Sequence, residues 1–324
     1  MLVLTAQDIQ QFYTMKDAVE ADKQALKIYT KGNSEVPLRI NFDMQKGQCL
    51  VMPAHIKEND VVGLKIVSVF PDNPKLGKPS VPAQVFMIDP QTGEVCAILD
   101  GTFVTQLRTG AVQGAATDLL AKKDAKRAVL IGTGGQAAAQ LEAMLTVRQL
   151  TDVAIYGLDA KKGKQFTEEM KQRFAHFSAN LYFSQDLDED IRHADIITSV
   201  TTSKEVTFNG ELVKPGTHIN GVGAYTPEMH EIPSNIVAKA DIRVLDTKDG
   251  VFAEAGDIID PINQNLVTKQ DFYELGDLVI DPQKCRQNDQ QITLFKTVGT
   301  AVLDVYVGYD IYQKAKQKGI GTTI

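Results

Sequence analysis

Tryptophan is absent from this 324-residue chain, cysteine occurs three times and histidine five times. The missing tryptophan starves no core, because apolar residues still make up 43% of the sequence. With charged residues at 23%, this is globular composition and excludes a disordered or fibrous chain. Cys49, Cys96 and Cys285 are odd in number, far apart and free of any Cys-x-x-Cys pairing. Neither a disulfide framework nor a zinc knuckle is suggested, and a reducing cytoplasm fits. His55, His176, His193, His218 and His230 show no metal-ligand spacing, so no metal site is expected. No run reaches the ~18 apolar residues that a membrane helix needs. Met1–Leu4 runs straight into Thr5-Ala6-Gln7-Asp8, without the basic start and long apolar stretch of a signal peptide. Basic charge is also short: 34 Lys and Arg against 41 Asp and Glu leave −7, which repels phosphate backbones and anionic lipid. Neither nucleic acid nor membrane is expected as a partner, and a cytoplasmic location follows.

What is present is enough chain for two domains. A capping pattern, Thr14 followed by Asp17, opens a helix with apolar residues at Met15, Ala18, Val19, Ala25, Leu26 and Tyr29 that ends at Gly32. From Val36 to Leu99 the pattern changes to short β-branched runs, at 38–42, 49–52, 62–70 and 85–88. The turn Asp89-Pro90-Gln91-Thr92-Gly93 then makes a hairpin with 95–99. A mostly antiparallel sheet carrying helices is predicted there. A helix follows over 102–120. Strand and helix then alternate: strands at 127–131, 152–156, 181–183, 195–199, 218–220 and 242–245, helices at 136–147 and 160–174. Strands separated by helices imply a doubly wound parallel sheet. Thr300 opens a last helix, with Val302, Val305, Tyr306 and Tyr309 at helical spacing, before a polar tail from Lys314 to Ile324. That helix is expected to pack back on the N-terminal part. The α/β fold class is therefore a Rossmann-type sheet over 116–299 inserted into a split α+β domain of 1–115 plus 300–324.

The sharpest motif is Gly132-Thr133-Gly134-Gly135-Gln136-Ala137, directly after the apolar strand Val129-Leu130-Ile131 and before an alanine-rich helix. Glycine-x-glycine alone is a weak signal, but strand before and helix after are the context it needs. Gly132 allows the tight turn, Gly134 the close approach of a pyrophosphate, and small Ala137 the packing of helix on strand; the anion then meets unpaired N–H groups. Gly135 and Gln136 complete the cofactor-binding turn. The acid that accepts the adenosine ribose hydroxyls would sit near Gly157. The nearest is Asp159, for which ribose contact and capping of the next helix fit equally. No Arg lies at 157–159, so NAD is favoured, with NADP possible through Lys161 and Lys162.

Three cations stand in apolar surroundings. Lys65, inside Gly63-Leu64-Lys65-Ile66-Val67, shares a strand face with Val67 and Val69. It either snorkels from an edge strand or is a buried lysine whose lowered pKa suits proton transfer. Arg39, in Pro37-Leu38-Arg39-Ile40, is shaped to grip a carboxylate, and a structural salt bridge fits equally. Arg108 precedes a helix of small residues and can meet a second anion such as the pyrophosphate.

In their order and spacing these segments, with Gly216–Gly223 and Leu294–Gly299, resemble the ornithine cyclodeaminase/mu-crystallin family over nearly the whole chain. The resemblance implies a homodimer joined through the N-terminal sheets, with chemistry between those sheets and the Rossmann domain. It implies Arg39 and Lys65 on a small imino- or amino-acid substrate, and Arg108 and Thr109 on the pyrophosphate. It places Val298 and Gly299 near the nicotinamide and adds Thr201 and Val222 to the cofactor set. Cyclodeaminases of the family carry an Asp where this chain has Tyr225, and a neutral phenol cannot hold and deprotonate an amine as a carboxylate does. Hydride transfer at the Cα of a ketimine or amino acid is therefore the expected activity, with Tyr225 included among the catalytic candidates. Ornithine cyclodeamination and non-catalytic nucleotide binding are the alternatives.

Overall fold

The computed structural model describes residues 1–324, which divide into two compact units. Unit 1 joins Met1–Arg108 to Gly299–Ile324, and unit 2 is Thr109–Val298.

In unit 1 the strands are β1 (Leu2–Leu4), β2 (Ser34–Glu35), β3 (Ile40–Met44), β4 (Gly47–Ile56), β5 (Val61–Val69), β6 (Ala83–Ile88) and β7 (Val95–Asp100). They lie in the order β1-β7-β6-β5-β4-β2, with β3 also on β4. All pair antiparallel except β1 with β7. The helices are α1 (Ala6–Gln10) and α2 (Met15–Thr30). Thr14 and Asp17 form the expected reciprocal cap, and α2 buries Ala18, Val19, Ala25 and Leu26. The C-terminal helix, Ala301–Lys318, packs on α2 and across β4, β5 and β6. Strand β3 begins only at Ile40, so Arg39 lies on the approach to it. Thr300 stands at the N-cap of the last helix without a side-chain bond.

The expected polar tail is helical over its first five residues, 314–318. Lys314 bonds Asp310 one turn back and Asp17, and the turns run on to a left-handed Gly319. The strand Thr322–Thr323 then pairs antiparallel with β1.

Unit 2 is the doubly wound sheet. Its strands are β8 (Arg127–Ile131), β9 (Asp152–Tyr156), β10 (Asn180–Phe183), β11 (Ile196–Ser199), β12 (His218–Gly221), β13 (Ile242–Leu245), β14 (Phe272–Glu274) and β15 (Thr293–Lys296). All run parallel in the order β10-β9-β8-β11-β12-β15-β13-β14. Helix α3 (Gly101–Leu120) begins in unit 1 and ends in unit 2, followed by α4 (Ala137–Val147), α5 (Ala160–Arg173), α6 (Leu187–His193), α7 (Ser234–Lys239), α8 (Lys248–Glu254), α9 (Gly256–Asn263) and α10 (Leu275–Ile280). Successive residues of β8 feed two cores. Leu130 joins Leu141, Met144 and Ile155, whereas Val129 and Ile131 join Ile197, Ile219, Ile236 and Val251. A strand covered on both faces reads as an unbroken apolar run, which is why Val129-Leu130-Ile131 shows no alternation. Chain order reverses at β8, with β9 and β10 to one side and β11 and β12 to the other. A parallel sheet takes its ligands at the carboxyl ends of the strands beside such a reversal.

No helix is long and apolar enough to cross a membrane.

Candidate active site

The glycine turn of unit 2 leaves β8 at Ile131. Gly132 has φ +111°, and a Cβ there would lie 2.5 Å from the carbonyl oxygen of Val200, so only glycine fits the bend. Gly134 and Gly135 are exposed, and a Cβ on either would meet nothing within 4 Å. Helix α4 starts behind them with Gln136 in helical conformation and no side-chain cap, and the buried Oε1 of Gln136 has no partner. An uncapped helix end facing an open turn suits an anion.

Around the turn the sequence expectations divide. Asp159 is a cap: its Oδ1 accepts from the amides of Lys161 and Lys162 at 3.0 and 3.1 Å, at the start of α5. At Gly157 an added Cβ would lie 3.0 Å from Thr133 Oγ1, a tight but side-chain contact. Val222 is buried and bonds the carbonyl of Ser199, while the amide of Thr201 donates to Glu231. Val298 is buried, its amide donating to Asp246 Oδ2 at 3.2 Å. Tyr225, on the loop after β12, is half-buried with its ring against the aliphatic cluster of unit 2. Thr109 is half-buried on α3.

Unit 1 gathers the cations. Lys65 is only 1% exposed, on β5 with β4 and β6 as neighbours, so the snorkelling alternative falls: this strand is interior, and no edge offers the ammonium a path to water. Its Nζ lies 2.7 Å from Oδ2 of Asp304, which is fully buried on the C-terminal helix. The other oxygen, Oδ1, accepts from Arg108 Nε at 2.9 Å. Arg39 donates from Nη2 to the carbonyl of Gly299 at 3.0 Å. Gly299 has φ +78°, and a Cβ there would lie 2.6 Å from Arg108 Nη1.

Asp304 thus pairs with two cations, Lys65 and Arg108, while Arg39 stands on the Gly299 carbonyl, and such a gathering of cations suits an incoming carboxylate. Burial, then Arg108 and later Arg39, push the Lys65 ammonium down from its ordinary 10.5 to about 7, against the opposing pull of Asp304. Such an amine holds and releases a proton near neutrality. Asp22, fully buried on α2 with both oxygens unpartnered, has its carboxyl pushed well up by burial, with Arg108 pulling the other way.

Sequence reasoning missed Asp304, Asp22 and the buried trio Glu231, Asp257 and Lys296. A signal existed for Asp304: a lone acid inside Ala301-Val302-Leu303-Asp304-Val305, on the apolar stripe of an amphipathic helix.

Gly299→Ala is expected to destabilise the protein by about 1–2 kcal/mol through the left-handed backbone alone. It should also raise the KM for a carboxylate substrate, by displacing the Arg108 guanidinium and disturbing the Gly299 carbonyl that holds Arg39. Thermal denaturation and steady-state kinetics check the two effects separately.

Comparison with known proteins gives one consistent picture. The family model described as "Ornithine cyclodeaminase/mu-crystallin family" matches residues 1–319. The Δ1-pyrroline-2-carboxylate reductase of Bacillus cereus is 34% identical over 327 residues, spanning 100% of this chain and 99% of the relative. Among solved structures, Thermococcus litoralis Δ1-pyrroline-2-carboxylate reductase in complex with NADH and L-proline superposes with a TM-score of 0.93 at 36% identity, over 100% of both chains. An archaeal alanine dehydrogenase dimer with bound NAD superposes with a TM-score of 0.89 at 32% identity, over 100% of this chain and 98% of the other.

Proposed function

Because the chain belongs to the ornithine cyclodeaminase/mu-crystallin family, we propose that it is an NAD-dependent imino-acid reductase, with Δ1-pyrroline-2-carboxylate, reduced to proline, as its leading substrate. The observation that carries this reading is the buried cation cluster of unit 1, where a proton-bearing amine sits among groups that attract a carboxylate. In this reading unit 1 (Met1–Arg108 with Gly299–Ile324) holds the substrate, and unit 2 (Thr109–Val298) holds the dinucleotide.

Reducing a C=N bond takes a hydride at carbon and a proton at nitrogen. NADH, when bound, supplies the hydride. Arg39 grips the substrate carboxylate and fixes the imine carbon, and such fixing of reactants is worth about 7–11 kcal/mol of barrier. Lys65 gives its proton from Nζ to the imine nitrogen, which makes the adjacent carbon electrophilic. Asp304 keeps the ammonium aligned and charged until that moment, and Arg108 shares the same carboxylate while adding positive charge for the anionic groups nearby.

For the cofactor, the amides behind Gly134, Gly135 and Gln136 would hold the diphosphate, with Arg108 and Thr109 assisting. Thr201, Val222, Val298 and Gly299 would line the nicotinamide half. Asp159 spends Oδ1 on its cap, so a ribose contact would fall to Oδ2, which sits 3.8 Å from Lys162 Nζ. That pairing draws Lys162 from a 2′-phosphate and supports NAD over NADP.

Tyr225, in place of the cyclodeaminases' acid, supports reduction over ammonia loss. A cytoplasmic homodimer completes the reading: Leu38, Ile40, Phe42 and Met44 on and beside β3 are all exposed, an apolar row suited to a second copy.

The test is NADH oxidation with Δ1-pyrroline-2-carboxylate, expected to yield proline, to run faster with NADH than with NADPH, and to have no counterpart when ornithine is supplied without reductant. A purified, folded protein inert toward this and other cyclic ketimines would end the proposal.

A further inference from the structure

The buried trio of unit 2 has no role in the chemistry above, yet it is built at considerable cost. Glu231, Asp257 and Lys296 are all fully buried. Charges withdrawn from water persist only where partners satisfy them. Glu231 has four donors on its two oxygens. Oε1 accepts from the hydroxyl of Ser199 at 2.8 Å and from the amide of Thr201. Oε2 accepts from the amides of Gly223 and Ala224 at 2.6 and 2.8 Å. Lys296, the last residue of β15, stands 2.8 Å from Asp257 and 4.0 Å from Glu231. Asp257 in turn accepts from the amides of Glu231 and Ile232 at 2.7 and 2.9 Å, so Glu231 is itself held.

Two loops meet on that one carboxylate, the loop leaving β11 at Thr201 and the loop leaving β12 at Gly223. They run so close that a Cβ on Gly223 would fall 2.0 Å from the carbonyl oxygen of Thr201. Chain order reverses at β8, so a dinucleotide seated on the glycine turn continues past β8 across the ends of β11 and β12.

We propose that Glu231 is a positioning residue for the half of the dinucleotide farther from its adenosine: its carboxylate welds the loops after β11 and β12 into one platform, braced by Lys296 and Asp257. This rests on the reading of unit 2 as the nucleotide unit. The adenosine half lies on the other side of β8, over β9, and takes nothing from the platform. Glu231→Gln keeps the shape but turns an amide group toward two of the four donors, so the loops lose their common anchor.

Calorimetric titration of the full-length protein with NADH and with ADP-ribose, which lacks the nicotinamide ring, separates the halves. Glu231→Gln is expected to weaken NADH about tenfold while ADP-ribose stays within about twofold. Ser199→Ala, which removes one donor and leaves the acid in place, is expected to shift the same affinity ratio about threefold and decides the matter if Glu231→Gln does not fold. A ratio that stays within twofold in the folded variants, including parallel loss of both ligands, overturns the proposal. Wild-type protein binding neither ligand refutes the nucleotide reading itself, an outcome distinct from a ratio that does not move.

Discussion

Lys65→Met is expected to lower kcat for imine reduction about a thousandfold while leaving the Kd for NADH within about twofold, since a positioned proton donor contributes roughly 10²–10⁴ to rate. Methionine fills most of the space of the lysine stem and removes only the titrating amine. The variant also tests where the lysine proton resides. In the wild type the ammonium is depressed to about 7, whereas an unfolded lysine titrates near 10.5. Between those values the unfolded chain binds the extra proton, so stability climbs as pH rises from 7 toward 10.5 and is insensitive to this group below 7. Denaturant melts across that range should show the climb in wild type and lose it in Lys65→Met. Undiminished turnover in the variant would remove Lys65 from the reaction.

The second large effect falls on Asp304. Asp304→Asn removes the carboxylate 2.7 Å from the Lys65 ammonium and 2.9 Å from Arg108 Nε. Removing one member of a buried ion pair costs about 3–5 kcal/mol of stability, readable as a lowered denaturation midpoint. The kinetic consequence has a sign. Asp304 favours the charged lysine, so its loss lowers the pH at which the amine gives up its proton, by about 1–3 units for a partner this close. Reduction needs the protonated amine, so the alkaline limb of kcat/KM, expected near pH 7 in wild type, should move to more acid pH. Part of the lost activity should return on acidification. A variant that is merely less stable, with its limb unmoved, would leave Asp304 as scaffold only.

Much of this was legible in the sequence because the signals are local. A capped amphipathic helix, the hairpin at Asp89–Gly93 and the strand–glycine–helix run at 127–147 each declare themselves within a few residues, and the sheet supports them all. Lys65 was legible as a problem, a charge in an apolar strand, though not as a solved one. Its partner is brought by the far end of the chain, and no local periodicity announces that meeting. Glu231 was invisible for the same reason: its four donors come from the end of β11 and the loops after β11 and β12, and only the parallel register of those two strands brings them together. Asp159 had two roles open because capping a helix and reaching a ribose ask for the same residue type at nearly the same place. Geometry, with both amides on Oδ1, shows the cap. The terminal residues were misread because composition near 314–318 is polar, while pairing of Lys314 with Asp310 and Asp17 keeps the turns wound.

The split of unit 1 has a consequence for how the protein is made. The ribosome releases Lys65 on its strand long before the helix bearing Asp304 exists, with all of unit 2 synthesised in between. Until those last residues emerge, the nascent sheet carries an uncompensated ammonium facing the surface that the helix will cover. The inserted unit has its own contiguous chain and can close first. The pairing of Lys65 with Asp304 thus waits until unit 2 has been made, and chains released before Asp304 are left with a sheet that cannot dry its own interior.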